Sequence, residues 1–282
     1  MKNFCRIVNL YSGSGGNSTF IRVGDHAILI DAGKSARALC KALCEIGEDI
    51  ENINAIFITH EHSDHVSALE VLSKKHAIPI HITEQSAEIF DGQITPYCFS
   101  RLFIHPVEFC EQIGDMSIRS FRTPHDSRMS VGYRIEFCDG EHKRAIGYAT
   151  DIGYVSDDIR KNLTGCDAVI IESNHDTEML KNGPYPAELK ARVASKRGHL
   201  SNCECSEFAI DLAQSGTRAF LLAHLSKENN EPCLALETTE RALSGLGVRV
   251  LTANPDAPCE LNFSCEEDGD CVEREVYNPW NA

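Results

Sequence analysis

The chain has 282 residues, 42% of them hydrophobic and 24% charged, with a formal net charge of −15. That length buries a core in one large domain or two small ones, and the hydrophobic content is that of a globular protein. The charge argues against a simple nucleic-acid binder held by overall positive potential. No run of about 18 apolar residues is present, and Met1–Leu10 lacks a basic segment followed by a long apolar one, so neither a membrane span nor a secretory signal is expected. Thirteen cysteines are scattered through apolar segments, where a free thiol acts as a small hydrophobe; a reduced cytoplasmic setting is expected.

In chain order, β-branched content and flanking turn residues predict strands at Phe4–Leu10, Thr19–Val23, Ala27–Asp31, Ala55–Thr59 and Pro79–Thr83, with helices at Ser35–Ile46, Val66–His76 and Glu84–Phe90. The second half repeats the style. Strands are predicted at Met116–Phe121, Val131–Cys138, Arg144–Ala149, Ala168–Glu172, Arg218–Ala223 and Val248–Leu251, and helices at Ser156–Asn162, Pro186–Lys196, Ser201–Gln214 and Pro232–Leu243. Ser201 and Glu204 have the form of a capping box, and Pro232 suits a first helical position. Strand runs followed by helices, twice over, predict two packed sheets with helices outside, an α/β (α+β) architecture. No linker divides the halves, so residues 1–264 are expected to form one domain. Residues 265–282 hold six acids against Arg274 and are expected to be a disordered acidic tail. The spacing of Cys259, Cys265 and Cys271 there fits a solvated tail, or else a redox or metal element.

The densest chemistry lies at His60-Glu61-His62-Ser63-Asp64-His65, an H-x-H-x-D-H run after an apolar strand. Imidazole and carboxylate together suit Zn²⁺, Mn²⁺ or Fe²⁺. Four such ligands crowd one tetrahedral ion, so the run is read as serving two, with His60 and His62 on one and Asp64 and His65 on the other. Further candidates stand singly at predicted strand ends, where a rigid scaffold holds functional groups. His125 gives the first ion a third imidazole, His224 completes the second, and Asp151 is placed to bridge. Asp31 is read as an acceptor that orients a ligand histidine. Cys203 and Cys205 lack an evident fourth partner for a zinc knuckle. The basic stretch Lys190–Arg197 is either a solvated helix face or a phosphate track.

Asp31, His60-x-His62-x-Asp64-His65, His125, Asp151 and His224, in that order, resemble the metallo-β-lactamase superfamily over roughly residues 4–260. The resemblance implies a four-layer αββα sandwich with a dinuclear site, holding two divalent ions (Zn²⁺ or Mn²⁺), at one edge of the sheets. Ser12–Thr19, Thr150–Val155, Glu172–Asp176, Gly198–Asn202 and His224–Asn230 narrow it to the WalJ/YycJ group, described as 5′→3′ DNA exonucleases linked to mismatch repair. DNA is then the implied substrate and mismatch-repair proteins the implied partners. Glu172 and His199 resemble the Glu and His of tRNase Z-like phosphodiesterases, which gives His199 the leaving oxygen and Glu172 the orientation of its ring. His175 is assigned to the ligands' outer support or the substrate rim.

Two such ions lower the pKa of a water between them (from about 15.7 toward about 7 for zinc) and offset charge on the phosphoryl oxygens. Asp64 is placed to accept a proton. The Gly-rich loop, through Ser12, Ser14, Asn17 and Ser18, is either a tight turn or a cradle for a substrate phosphate. Gly33-Lys34-Ser35 resembles the end of a P-loop, but position 28 is Ile, not the required Gly. A glyoxalase-II-like thioesterase or another small-molecule hydrolase on the same dinuclear site is the alternative enzyme reading. A non-catalytic metal-binding module would require a gap among the ligands. The 72 residues between Asp151 and His224 leave no room for the inserted domain of RNase J-like enzymes.

Overall fold

Segments such as His26–Ile30 and Ala168–Glu172 are apolar on both faces, and strands of that kind need cover on both sides. The computed structural model, which describes residues 5–90 and 95–261, provides it. Strands β1 (Cys5–Tyr11), β2 (Ser18–Val23), β3 (His26–Ile30), β4 (Ile53–Phe57), β5 (Ile80–Thr83) and β6 (Leu102–His105) belong to one sheet. Strands β7 (Cys110–Ile113), β8 (Met116–Thr123), β9 (Ser130–Asp139), β10 (His142–Ala149), β11 (Ala168–Glu172), β12 (Ala219–Ala223) and β13 (Arg249–Thr252) form the other. The short β14 (Cys259–Leu261) returns to the first sheet beside β1.

The sheet orders are β14-β1-β2-β3-β4-β5-β6 and β13-β12-β11-β10-β9-β8-β7. Each begins as an antiparallel meander and continues in parallel, from β3 onward in the first and from β10 onward in the second. Three apolar layers result. Ile28, Ile30, Phe57, Tyr133, Ile170 and Leu221 pack between the sheets. Leu29, Ile56 and Ile58 face Leu39, Leu43 and Leu72 of the first sheet's helices. Val169, Ile171 and Leu222 face Phe208 and Leu212 of the helix Asn202–Gln214. Period-two alternation thus sends each strand's side chains into two different cores, giving the expected αββα sandwich. Among the described residues no helix is long and apolar enough to cross a membrane.

The strand pattern departs from expectation at β6, β7 and β14, whose three or four residues carry too little apolar periodicity to register. The single helix predicted at Val66–His76 is two pieces, Ser63–Val66 and Leu69–Lys75. At the break Ala68 N–H donates to Ala32 O at 2.9 Å, and Ala32 N–H donates to His65 O at 2.8 Å, so backbone bonds to the β3 exit replace the helical ladder. The capping box at Ser201 and Glu204 is formed. No disulfide joins the described cysteines. Cys203 is exposed and Cys205 buried, and neither enters a ligand cluster. Residues 265–282, with Cys265 and Cys271, lie outside the described residues, as do residues 262–264 at the expected end of the domain.

His81 shows how the sheet constrains titration away from the strand ends that carry the ligand run. Its ring stacks on Phe57 at 4.5 Å and on Phe103 at 5.2 Å, and its Nδ1 lies 3.0 Å from His105 Nε2. Burial, with the neighbouring His105, pushes its pKa down to about 4; Glu111, 3.7 Å from His105, is the carboxylate beyond the pair. The fold therefore disfavours the protonated ring, and the unfolded chain takes up the proton first as pH falls. Stability is expected to decline from about pH 6.5 to about pH 4. Urea titrations of His81→Phe should show a shallower decline over that window; an unchanged slope would assign the acid sensitivity elsewhere.

Candidate metal centre

Three non-glycine residues adopt the left-handed region, Asp31 (φ 63°), Asp151 (φ 55°) and His224 (φ 56°). Asp31 and His224 directly follow the last residues of β3 and β12, and Asp151 stands two residues past the end of β10. The left-handed region costs an L-residue roughly 1–2 kcal/mol, so packing must hold each of them there. The turn at the end of the strand aims each side chain across the sheet edge rather than into a core. Ser12 Oγ accepts the His224 N–H at 2.7 Å, and Asn174 Nδ2 donates to His224 O at 2.7 Å. Asp31 N–H donates to Phe57 O at 2.9 Å.

The seven residues read as ligands converge at this edge. His60, His62 and His125 bring one ring nitrogen each to within 4.8 Å of the others, as do the donor atoms of Asp64, His65 and His224. Asp151 lies between the groups, 3.5 Å from His65 Nε2, 3.4 Å from His224 Nε2 and 3.9 Å from His125 Nε2. Asp31 Oδ2 is 2.8 Å from His65 Nδ1, which turns His65 Nε2 toward Asp151. Asp31 is itself fixed by Thr59, whose N–H and hydroxyl both donate to it.

Glu172 does more than the sequence suggests. Its Oε1 lies 2.8 Å from His199 Nδ1 and 2.8 Å from His224 Nδ1, and its Oε2 accepts the N–H groups of Ile152 and Leu200. One buried carboxylate thus orients a ligand candidate and the catalytic candidate together. Two other partners escape sequence reasoning. Glu61, inside the histidine run, accepts Arg128 N–H and Ser86 Oγ–H, tying the run to the β8–β9 loop. Asn202 and Asn230 pair their side-chain amides, joining the segments that carry His199 and His224. A paired amide leaves no sequence periodicity. His175 is buried with Nδ1 unpartnered and joins none of the ligand clusters.

The Ser12–Thr19 loop turns mostly inward. Ser18 Oγ donates to Asp31 O, and Asn17 Nδ2 reaches Asp64 Oδ2 at 3.3 Å and His65 Nε2 at 3.1 Å. Ser12 holds the His224 backbone, and Ser14 alone of the four is exposed, lining a cavity of about 180 Å³ with His199 and His224. Gly33 has its own role: a Cβ there would stand 1.6 Å from Asp64 O, so only glycine lets the β3 exit pass beneath the histidine run.

The electrostatics suit divalent cations. Burial, together with the surrounding imidazoles, holds His60 well below its ordinary pKa, and burial lowers His125 as well, leaving neutral rings with free lone pairs. Burial opposes protonation of His224, yet Asp151, Asp64 and Glu172 outweigh it and raise its pKa to about 10. Asp151 Oδ2 and His224 Nε2 are buried without a hydrogen-bond partner, both at the centre of the cluster. Unpartnered buried donors and acceptors of this kind are costly unless a ligand satisfies them. Negative charge that would otherwise hold protons on these rings is what a metal takes up in their place.

Residues 26–225 match the family model of the beta-lactamase superfamily domain. The chain is 32% identical to the exodeoxyribonuclease YycJ of Bacillus anthracis over 260 residues, covering 90% of this chain and 97% of that protein. It is 35% identical to the exodeoxyribonuclease WalJ of Streptococcus pneumoniae over 260 residues, covering 89% and 95%. Among solved structures, the metallo-β-lactamase fold protein YhfI of Bacillus subtilis superposes with a TM-score of 0.68 at 18% identity, covering 92% of this chain and all of that one. Fold, ordered motifs and full-length similarity agree: the chain belongs to the metallo-β-lactamase superfamily and, within it, to the WalJ/YycJ group.

Proposed function

We propose that this protein is a metal-dependent phosphodiesterase that removes nucleotides from the 5′ end of DNA, with mismatch-repair proteins as its partners. The observation that carries it is His199, held by Glu172 at 2.8 Å and 3.9 Å from Asp151, beside the candidate ligand cluster of a chain related over 90% of its length to an exodeoxyribonuclease. In this reading His60, His62 and His125 would hold one divalent ion and Asp64, His65 and His224 the other, with Asp151 placed between the two sets. Bound Zn²⁺ or Mn²⁺ supplies Lewis acidity, bringing the pKa of water toward neutrality and offsetting charge on the phosphoryl oxygens.

The chain's own residues do the rest. Asp64 is about a fifth exposed and steadied by Asn17, so it stands at the open face of the cluster, where it accepts the nucleophile's proton. His199, also about a fifth exposed at Nδ1's carboxylate-bonded ring, presents its other nitrogen to the leaving oxygen and gives it a proton. Glu172 fixes that orientation by keeping Nδ1 engaged.

The test supplies purified protein with Mn²⁺ or Zn²⁺ and compares 5′- and 3′-labelled DNA and RNA, single- and double-stranded. The expected result is stepwise release from the 5′ end of DNA by protein that carries two metal ions per chain. Thioester cleavage with every polynucleotide left intact would sink the nuclease reading in favour of the small-molecule hydrolase, and a metal content near one would sink the dinuclear assignment.

A further inference from the structure

We infer that the basic cavity beside His125 is the track that holds the uncleaved part of the DNA strand; this rests on the phosphodiesterase reading. The cavity has a volume of about 660 Å³ and is lined by Arg122, Arg128, Lys196 and Arg197, with Tyr154 and the single carboxylate of Asp158. Four cations on one wall stand out in a chain whose formal charge is −15. A polyanion is repelled by most of such a surface and is drawn to a basic concavity that adjoins the cluster.

The cations come from three segments, the end of β8, the loop after His125, and the turn before His199. The segments are wedged together. Gly153 N–H donates to Pro124 O at 2.8 Å, and a Cβ on Gly153 would stand 2.3 Å from the Lys196 carbonyl. Arg197 Nε donates to His125 O at 3.3 Å, so the wall is fixed to a ligand candidate's own backbone. Arg122, Lys196 and Arg197 form no ion pair among the described residues. Arg128 pairs with Glu88 at 3.3 Å, where both side chains are more than half exposed, and so weak a pair yields to a phosphate.

Tyr154 adds a face for a base. It is 41% exposed, and the Lys196 ammonium lies 5.9 Å from its ring centre. Cations beside an exposed aromatic ring are how sequence-tolerant single-strand grooves are built. The basic stretch at Lys190–Arg197 is thereby divided. Lys190 donates to Lys181 O and Arg192 to Asp126, while Lys196 and Arg197 face the cavity. The cavity lined by His199 and His224 is smaller, at about 180 Å³, and the single cation on its lining, Arg192, is paired with Asp126.

The test compares wild-type protein with the Arg122→Ala/Lys196→Ala and Tyr154→Ala variants on a long single-stranded oligonucleotide and on bis(p-nitrophenyl) phosphate, which has no further phosphates for the cations to hold. For the double variant the ratio of kcat/KM on DNA to that on the small diester should fall roughly tenfold or more, and the log–log salt dependence of DNA binding, read by fluorescence anisotropy in EDTA, should lose about 1.4 of its slope. Tyr154→Ala should weaken DNA binding with little change in the salt slope. Lys41→Ala, a change on the remote first helix, serves as the control and should leave both quantities as in the wild type. An unchanged ratio and slope in a wild type that degrades DNA overturns the track alone. A wild type that hydrolyses neither substrate overturns the function and the track with it.

Discussion

Asp64→Ala should lower DNA hydrolysis by on the order of 10³-fold or more, equivalent to about 4 kcal/mol of lost transition-state stabilisation. Asp64 Oδ2 lies 3.5 Å from His65 Nε2 and 3.9 Å from His224 Nε2, at the end of the cluster nearest solvent. Burial alone would raise its pKa, but the positive charge that the neighbouring His65 and His224 rings can carry holds the carboxyl far below the usual range. The fold thus keeps an anion where both a cation and a proton acceptor are needed. Alanine removes a proposed ligand and the proposed base at once while leaving Asp31, Thr59 and His65 in place. The check is single-turnover hydrolysis alongside metal content by mass spectrometry. A variant that keeps two ions per chain and cleaves DNA within about tenfold of the wild-type rate would end the assignment of Asp64 to both roles.

Glu172→Gln should be nearly as damaging, and by a different route. The carboxylate accepts four hydrogen bonds, two from histidine rings through Oε1 and two from backbone N–H groups through Oε2. An amide in the same position must point its NH₂ group at one of these donor pairs. Two donors then face a donor in a fully buried site, at about 1–3 kcal/mol for each group left unsatisfied. With the NH₂ toward the rings, His199 and His224 lose their fixed tautomer; with it toward Ile152 and Leu200, the backbone that carries the site is displaced, so metal affinity and turnover are each expected to fall roughly 10–100-fold. His199→Ala provides the contrast: it should reduce turnover by about 10²–10⁴-fold with metal content unaltered, because it removes only the proton donor. If Glu172→Gln and His199→Ala show the same metal content, the bond from Glu172 to His224 does not support the metal centre.

The site was legible in the sequence to the extent that its chemistry is written in rare residue types. His60, His62, Asp64 and His65 fall within six positions, Asp31 and His224 each close an apolar run, and His125 and Asp151 stand two residues past strand ends, so strand ends and candidate ligand types lie close together. The strands with apolar side chains on both faces, such as β3, β4, β11 and β12, were legible for the same reason, because burial on two sides leaves a continuous hydrophobic stretch. The short edge strands β6, β7 and β14 were not, since their pairing is set by neighbours they meet only after folding. The Gly-rich loop shows the limit from the other side. Its composition suggested a phosphate cradle, yet most of its polar groups serve Asp31, Asp64, His65 and His224, a use that depends on which segment lies beneath it.

Sequence by itself determined the candidate ligand types, their order along the chain and the two-sheet architecture, because each is a local property of residue identity and periodicity. Only the tertiary structure decided that Glu172 serves two histidines, that Gly33 lies against Asp64, and that Arg122, Arg128, Lys196 and Arg197 share one wall. Those relations join residues tens of positions apart. They arise from the left-handed turns at Asp31, Asp151 and His224 and from the packing of two sheets face to face, and no local pattern encodes the distance between segments that meet only across a core.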